Sequence, residues 1–116
     1  MWRKISSFFD SEFVREEMEE ISRMQEEIYA RVFQFPTMDK QGKLDHVDKL
    51  GELLKKQRVL YTRLCLSDDP DAKRMKESIL QSAMELGFPS DINLTHIFAN
   101  MTKVLESMRE RIIDSP

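Results

Sequence analysis

The sequence predicts an all-α protein, and three observations carry that prediction. Charged residues make up 34% of the chain and hydrophobic ones 41%, while glycine and proline number only three and four; this composition is poor in loop formers and suits well-solvated helices. Apolar residues recur at steps of three and four along most of the chain, and no segment alternates with the two-residue period of a strand between turn signals. The expected architecture is a long antiparallel helical hairpin, formed by the first two helices, with two shorter helices packed on it, four in total. A chain of 116 residues suits one domain. Residues 1–9 read as an N-terminal arm, 10–66 as the hairpin and 69–113 as the third and fourth helices.

Each element has its own start and stop. In "FFDSEFVREEMEE", residues 8–20, Asp10 is a good N-cap and Phe9 before it can staple onto Val14. Ser7 offers a competing start three residues earlier. Glu12, Glu16 and Glu17 then lie near the positive end of the helix dipole. The first helix is expected from Asp10 to Phe35, because Pro36 disfavours helix in the residue before it. Thr37 or Asp39 caps the second, which continues to about Leu66 with Gly42 weakening its first turn. "SDDPDAKR" is the clearest break: Asp69 at the N-cap, Pro70 at the first helical position, Asp71 just inside. The third helix runs to about Leu86 and ends at Gly87 as a left-handed cap, with Pro89 preventing resumption. Ser90 or Asp91 caps the fourth, which reaches roughly Ile113.

Spacing also predicts how the first two helices meet. Val14, Met18, Ile21, Gln25, Ile28, Val32 and Phe35 form one seam; Val47, Leu50, Leu54, Gln57, Tyr61 and Leu64 form the other. Both follow the alternating three- and four-residue steps of a coiled coil. Antiparallel pairing sets Ile28 against Leu54, Ile21 against Tyr61 and Met18 against Leu64. The same register places Gln25 and Gln57 in one layer, where each amide can satisfy the other. Apolar residues remain outside the seams: Met24 and Tyr29 on the first helix, His46, Leu53 and Leu60 on the second. The third helix adds the stripe Ala72, Met75, Ile79, Ala83 and Leu86. Leu94, Ile97, Met101, Val104, Met108 and Ile112 form that of the fourth. These stripes pack on the hairpin or on a second copy of it, so a homodimer is expected.

Little in the chain points to chemistry. His46 and His96 have no ligand-like partner at helical spacing, and no Glu-x-x-His pair of the di-iron bundle type occurs. Glu16 with Glu19, and Glu17 with Glu20, have a spacing that could bind a metal, but without a nitrogen ligand they read as a solvated face. Cys65 lacks a positioned base, which leaves a small buried hydrophobe as the simpler reading. Three scattered glycines cannot build a phosphate loop. No enzyme activity, cofactor or metal is expected. The single cysteine suits a reducing cytoplasm, and no segment has membrane-spanning length.

A net charge of −3 argues mildly against nucleic acid. The expected function is therefore a non-enzymatic protein–protein interaction or regulatory module, with an unidentified protein partner and no membrane. Trp2, Phe8 and Phe9, ahead of the first cap, are the candidate partner-binding aromatics; folding of this arm onto the third and fourth helices is the competing reading. The alternative is a nucleic-acid-associated regulator that uses a basic face of the second helix, with Lys55, Lys56 and Arg58 at its centre and Lys49 and Arg63 beside them.

The stretches "FFDSEFV", "LCLSDDPDAK" and "MTKVLESMRERI" resemble a family of short all-helical proteins of cyanobacteria and their phages, catalogued only as a domain of unknown function. The resemblance covers about Phe8 to Ile113, with the Phe-Phe-Asp-Ser-Glu entrance as its best marker. It implies a cytoplasmic helical protein, in the host cytoplasm and acting on a host protein if phage-encoded. It brings no catalytic residue with it.

Overall fold

A computed structural model describes residues 8–89, 91 and 93–116. Every regular element among them is helical: a short 3₁₀ turn Phe8–Asp10, α1 Glu12–Tyr29, a second 3₁₀ segment Val32–Thr37, α2 Lys40–Leu66, α3 Pro70–Glu85 and α4 Leu94–Asp114.

Local chemistry explains the boundaries. Ser11, one residue beyond the expected Asp10, caps α1 and accepts from the Val14 N–H. Asp10 belongs instead to the preceding 3₁₀ turn. α1 ends at Tyr29, earlier than Pro36 required, and the chain tightens into the 3₁₀ segment that contains Pro36. Six residues that the spacing assigned to the first helix thereby leave its axis, as a helix end often tightens before a turn. Asp39 caps α2 through the Gly42 N–H at 2.7 Å. A Cβ on Gly42 would stand 2.9 Å from that same carboxylate oxygen, so the missing side chain makes room for the cap. Asp69 caps α3, with Pro70 opening the helix. Gly87 ends it at φ +102°, a conformation that costs a residue with a Cβ. For α4 the cap is Asn93, accepting from Thr95. This lies beyond the expected Ser90 or Asp91, of which Ser90 is outside the described residues.

α2 is the centre of the arrangement. Its apolar residues are spread around the helix rather than gathered on one side, and neighbours flank it on more than one face. Contacts with α1 run in opposite chain directions: Phe13 lies under Arg63, Glu20 meets Lys56, and Phe35, just past α1, rests on His46. α4 also runs antiparallel to α2. Tyr61 meets Phe98, Asp48 meets Arg109, and Lys40 donates to the carbonyls of Ile113 and Ser115 at 2.6 and 3.1 Å. That last contact places a cation on the negative end of the α4 dipole.

The register of α1 on α2 differs from the one the spacing predicted. Ile21, Met24 and Ile28 cluster with Leu53, and Leu50 and Leu60 pack against them. His46 and Leu53, expected on a flank, are buried, whereas Tyr61, expected opposite Ile21, faces α4. Gln25 and Gln57 border one cavity, yet no hydrogen bond links them among the described residues. The reason is competition between faces. α2 has two apolar stripes, and α4 takes the one that looked better suited to α1.

α3 packs more loosely. Ala72 and Ala83 are buried, Ile79 is half-buried, and Leu86 at its end is 80% exposed. The molecule is elongated, 66 × 31 × 19 Å, with a radius of gyration of 17.2 Å; a compact chain of this length would have about 13 Å.

Asp69 joins the start of the described chain to its middle. Its carboxylate accepts from the backbone N–H groups of Phe8 and Asp71, and its own N–H donates to Ser67 Oγ. Replacing Asp69 by Ala removes a cap and leaves buried amide donors without their acceptor. The expected loss is about 2 kcal/mol in urea unfolding. Leu53→Ala, in the α1–α2 cluster, should cost about 2–4 kcal/mol. Leu66→Ala, at an exposed position, should stay within about 0.5 kcal/mol by the same measurement.

Candidate interaction surface

Two apolar cavities lie side by side along α2, with Gln57 bordering both. The first, about 420 Å³, is walled by all four helices: Met18 and Ile21 from α1, Leu60 from α2, Met75 and Ile79 from α3, Phe98 from α4. Phe8 and Phe9 close one side of it. The second, about 450 Å³, has α2 as floor through Leu50, Leu53 and Leu54. Tyr29 of α1 stands on one lip, and Met101 and Val104 of α4 stand on the other. From the α3 side only Phe88, past the end of that helix, reaches it.

This difference follows from helix length. At 1.5 Å per residue, the 27 residues of α2 span about 40 Å and the 16 of α3 about 24 Å. The Gly87 turn stops α3 short, and roughly 16 Å of the length of α2 has no counterpart in α3. None of the residues bordering the open groove is charged, in a chain where a third of residues are. Tyr29 and Val104 are each 58% exposed there, and Phe33, one turn beyond Tyr29, is 92% exposed.

The residues singled out from sequence are dispersed. Trp2 lies outside the described residues. Phe8 and Phe9 are half-buried and stand edge to face at 5.1 Å on the first cavity, beside α3, α4 and the end of α2. Lys55 and Arg58 are exposed. Lys56 turns to α1 and pairs with Glu20 at 3.2 Å and Glu17 at 3.8 Å. The Arg63 guanidinium lies 4.3 Å from the centroid of the Phe13 ring, a cation–π contact. Opposite charges on neighbouring helices have drawn part of the basic face inward and left a shorter one outside.

Sequence reasoning did not nominate the groove as a site. Tyr29 was visible as an apolar residue off the seam, and Met101 and Val104 as members of a stripe. No signal along the chain could reveal that α3 ends before covering them.

Among the described residues, no group of three or more His, Cys, Asp or Glu is placed to hold a metal, and no helix is long and apolar enough to cross a membrane. Cys65 is exposed, contrary to the buried hydrophobe expected. Burial pushes the Tyr61 phenol up to about 12, helped by a side-chain hydrogen bond with Cys65, so the phenol stays neutral at ordinary pH.

Among the described residues, these features define an all-helical fold with an apolar groove between α1 and α4. The chain belongs to the DUF1825 family, described as a domain of unknown function, whose model matches residues 6–112. No curated protein and no solved structure matches it.

His46 provides a pH test of the packing at the α1 end of α2. Burial, then the positive charges of Arg31 and Lys49, lower its pKa below the ordinary histidine value. The unfolded chain therefore takes up the proton more readily than the folded one. His46's contribution is fully present above about pH 6.5 and is lost as pH falls toward the depressed folded value. Urea midpoints should drop between pH 7.5 and pH 5.5, and His46→Leu should flatten that part of the profile.

Proposed function

We propose that this protein is a non-enzymatic protein–protein interaction module, built on the antiparallel hairpin of α1 and α2, that binds through the open groove between α1 and α4. The observation that carries the reading is an apolar groove of about 450 Å³ without a charged residue at its border, lipped by half-exposed aromatic and aliphatic side chains. Exposed apolar patches with polar surroundings mark interaction sites. A groove floored by one helix and walled by two more suits an amphipathic helix or a blunt aromatic turn. In this reading Phe8 and Phe9 support the scaffold rather than anchor the partner. A cyanobacterial or phage setting, suggested by resemblance, would place the partner in the host cytoplasm.

The nucleic-acid alternative rests on Lys49, Lys55, Arg58 and Arg63, the exposed cations of the expected patch. It predicts a gel shift that weakens steeply with salt and is lost in Lys55→Glu/Arg58→Glu.

A pull-down from the native cell, read by mass spectrometry, separates the two. Val104→Glu puts a charge on the groove's lip and should reduce capture of groove-bound partners at least tenfold, about 1.4 kcal/mol. Lys55→Glu/Arg58→Glu should leave capture unchanged. The reverse pattern would reject the groove.

A further inference from the structure

We propose that the cavity between the end of α1 and the start of α2 binds a phosphate group, free or carried by a small ester, held by the Arg31 guanidinium, the Lys49 ammonium and the His46 imidazole. It shares no bordering residue with the apolar groove.

The first observation is a buried imidazole without a hydrogen-bond partner. His46 is 6% exposed and borders a cavity of about 480 Å³. Phe35 rests on its ring at 5.4 Å between centroids, yet no hydrogen bond reaches either ring nitrogen among the described residues. Neither nitrogen is fully shut away from the surface, so the cavity is where they meet a partner. A neutral imidazole has one N–H to donate, and a group so packed calls for an acceptor.

The second is the charge around it. Lys49 lies three residues along α2 from His46, on the same face of the helix. Arg31 arrives from the segment just past α1. Both border the cavity, and neither side chain has an ion pair or hydrogen bond among the described residues. The two carboxylates at its border are engaged elsewhere: Glu27 pairs with Arg23 at 3.2 Å, and Asp45 accepts from Gln41 at 3.0 Å. After burial, the positive charges of Arg31 and Lys49 are what lower the His46 pKa, and no carboxylate offsets them. The imidazole stands neutral in a positive field that an anion would complete.

Third, the donor set matches phosphate. A guanidinium presents a two-pronged face to an oxyanion, and an ammonium adds a point charge. Two cations balance a phosphate monoester, which carries close to two negative charges at neutral pH, whereas a carboxylate carries one. The cavity falls in the size range of small-molecule sites, and Ile28 at its border suits the organic part of an ester.

NMR of the two imidazole rings in the full chain tests the site, with His96, exposed on α4, as the internal control. Inorganic phosphate and phenyl phosphate are titrated separately at pH 7.5, against sodium chloride at matched ionic strength. A phosphate probe should shift the His46 signals saturably, with a Kd of about 1 mM or below, while His96 stays in place. Saturation by both probes makes free phosphate sufficient; saturation by phenyl phosphate alone makes an ester the ligand. Arg31→Gln and Lys49→Gln should each weaken binding at least tenfold, and Lys55→Gln should leave it unchanged. Both replaced side chains are exposed, so the fold is spared, and circular dichroism checks helix content. Bound phosphate should also move the His46 titration to higher pH, since a nearby negative charge favours the protonated ring. Shifts matched by sodium chloride, shared by His96, or kept in Arg31→Gln and Lys49→Gln overturn the proposal, as does a His46 signal that neither phosphate probe moves.

Discussion

Apolar side chains leave α2 on more than one side, and a helix of that kind needs a neighbour on each. Leu53 and Leu60 serve α1, with Leu50 between the two faces; Leu54 and Tyr61 turn toward α4 and its side of the core. Both neighbours run antiparallel to α2, and both are pinned near its beginning, α1 by the Phe35–His46 contact and α4 by Lys40 on its last carbonyls. Burial supplies most of the stabilisation, because apolar area removed from water outweighs the exposed pairs around it. The polar contacts fix orientation.

Electrostatics here is spent inside the fold. The acidic face of α1 and the basic face of α2 meet at Lys56, and Arg63 covers an aromatic ring. Asp48 with Arg109 repeats the arrangement on the α4 side, where the carboxylate further raises the guanidinium's pKa. Such half-exposed pairs add little stability individually. Their effect is on orientation, since each ties one residue of α2 to one residue of a neighbouring helix.

What is left uncovered follows from the same geometry. α1 and α4 stand on α2 as two walls, and the trough between them needs a fourth helix along its whole length. α3 supplies that cover over the half near Phe98, and Phe8 and Phe9 close it further. Past Gly87 only Phe88 reaches the trough from that side, above a floor of Leu50, Leu53 and Leu54, and its lips at Tyr29, Met101 and Val104 are exposed. Among the described residues, Ala72 is completely buried, and no large side chain is fully so, the deepest being Ile28, Val47 and Leu53 at 3% exposure. The core is thin enough for an added surface to count.

Helix class and the breaks at Asp39, Asp69 and Gly87 were legible in the sequence. Each depends on residues within a few positions of one another: a carboxylate that reaches an amide, a proline without an N–H, a glycine free to take positive φ. Which face of α2 meets which partner was not legible. Two stripes of similar quality competed for α1, and only the packing of α4 decided between them. Tyr61 of the expected seam meets Phe98 of α4 while Leu50 packs on α1, and no hydrogen bond joins Gln25 to Gln57 among the described residues. For the same cause the groove was invisible. Its residues come from four distant stretches, and although the lengths of the second and third helices could be read along the chain, which span of α2 lies beyond the end of α3 depends on how the rods are set side by side.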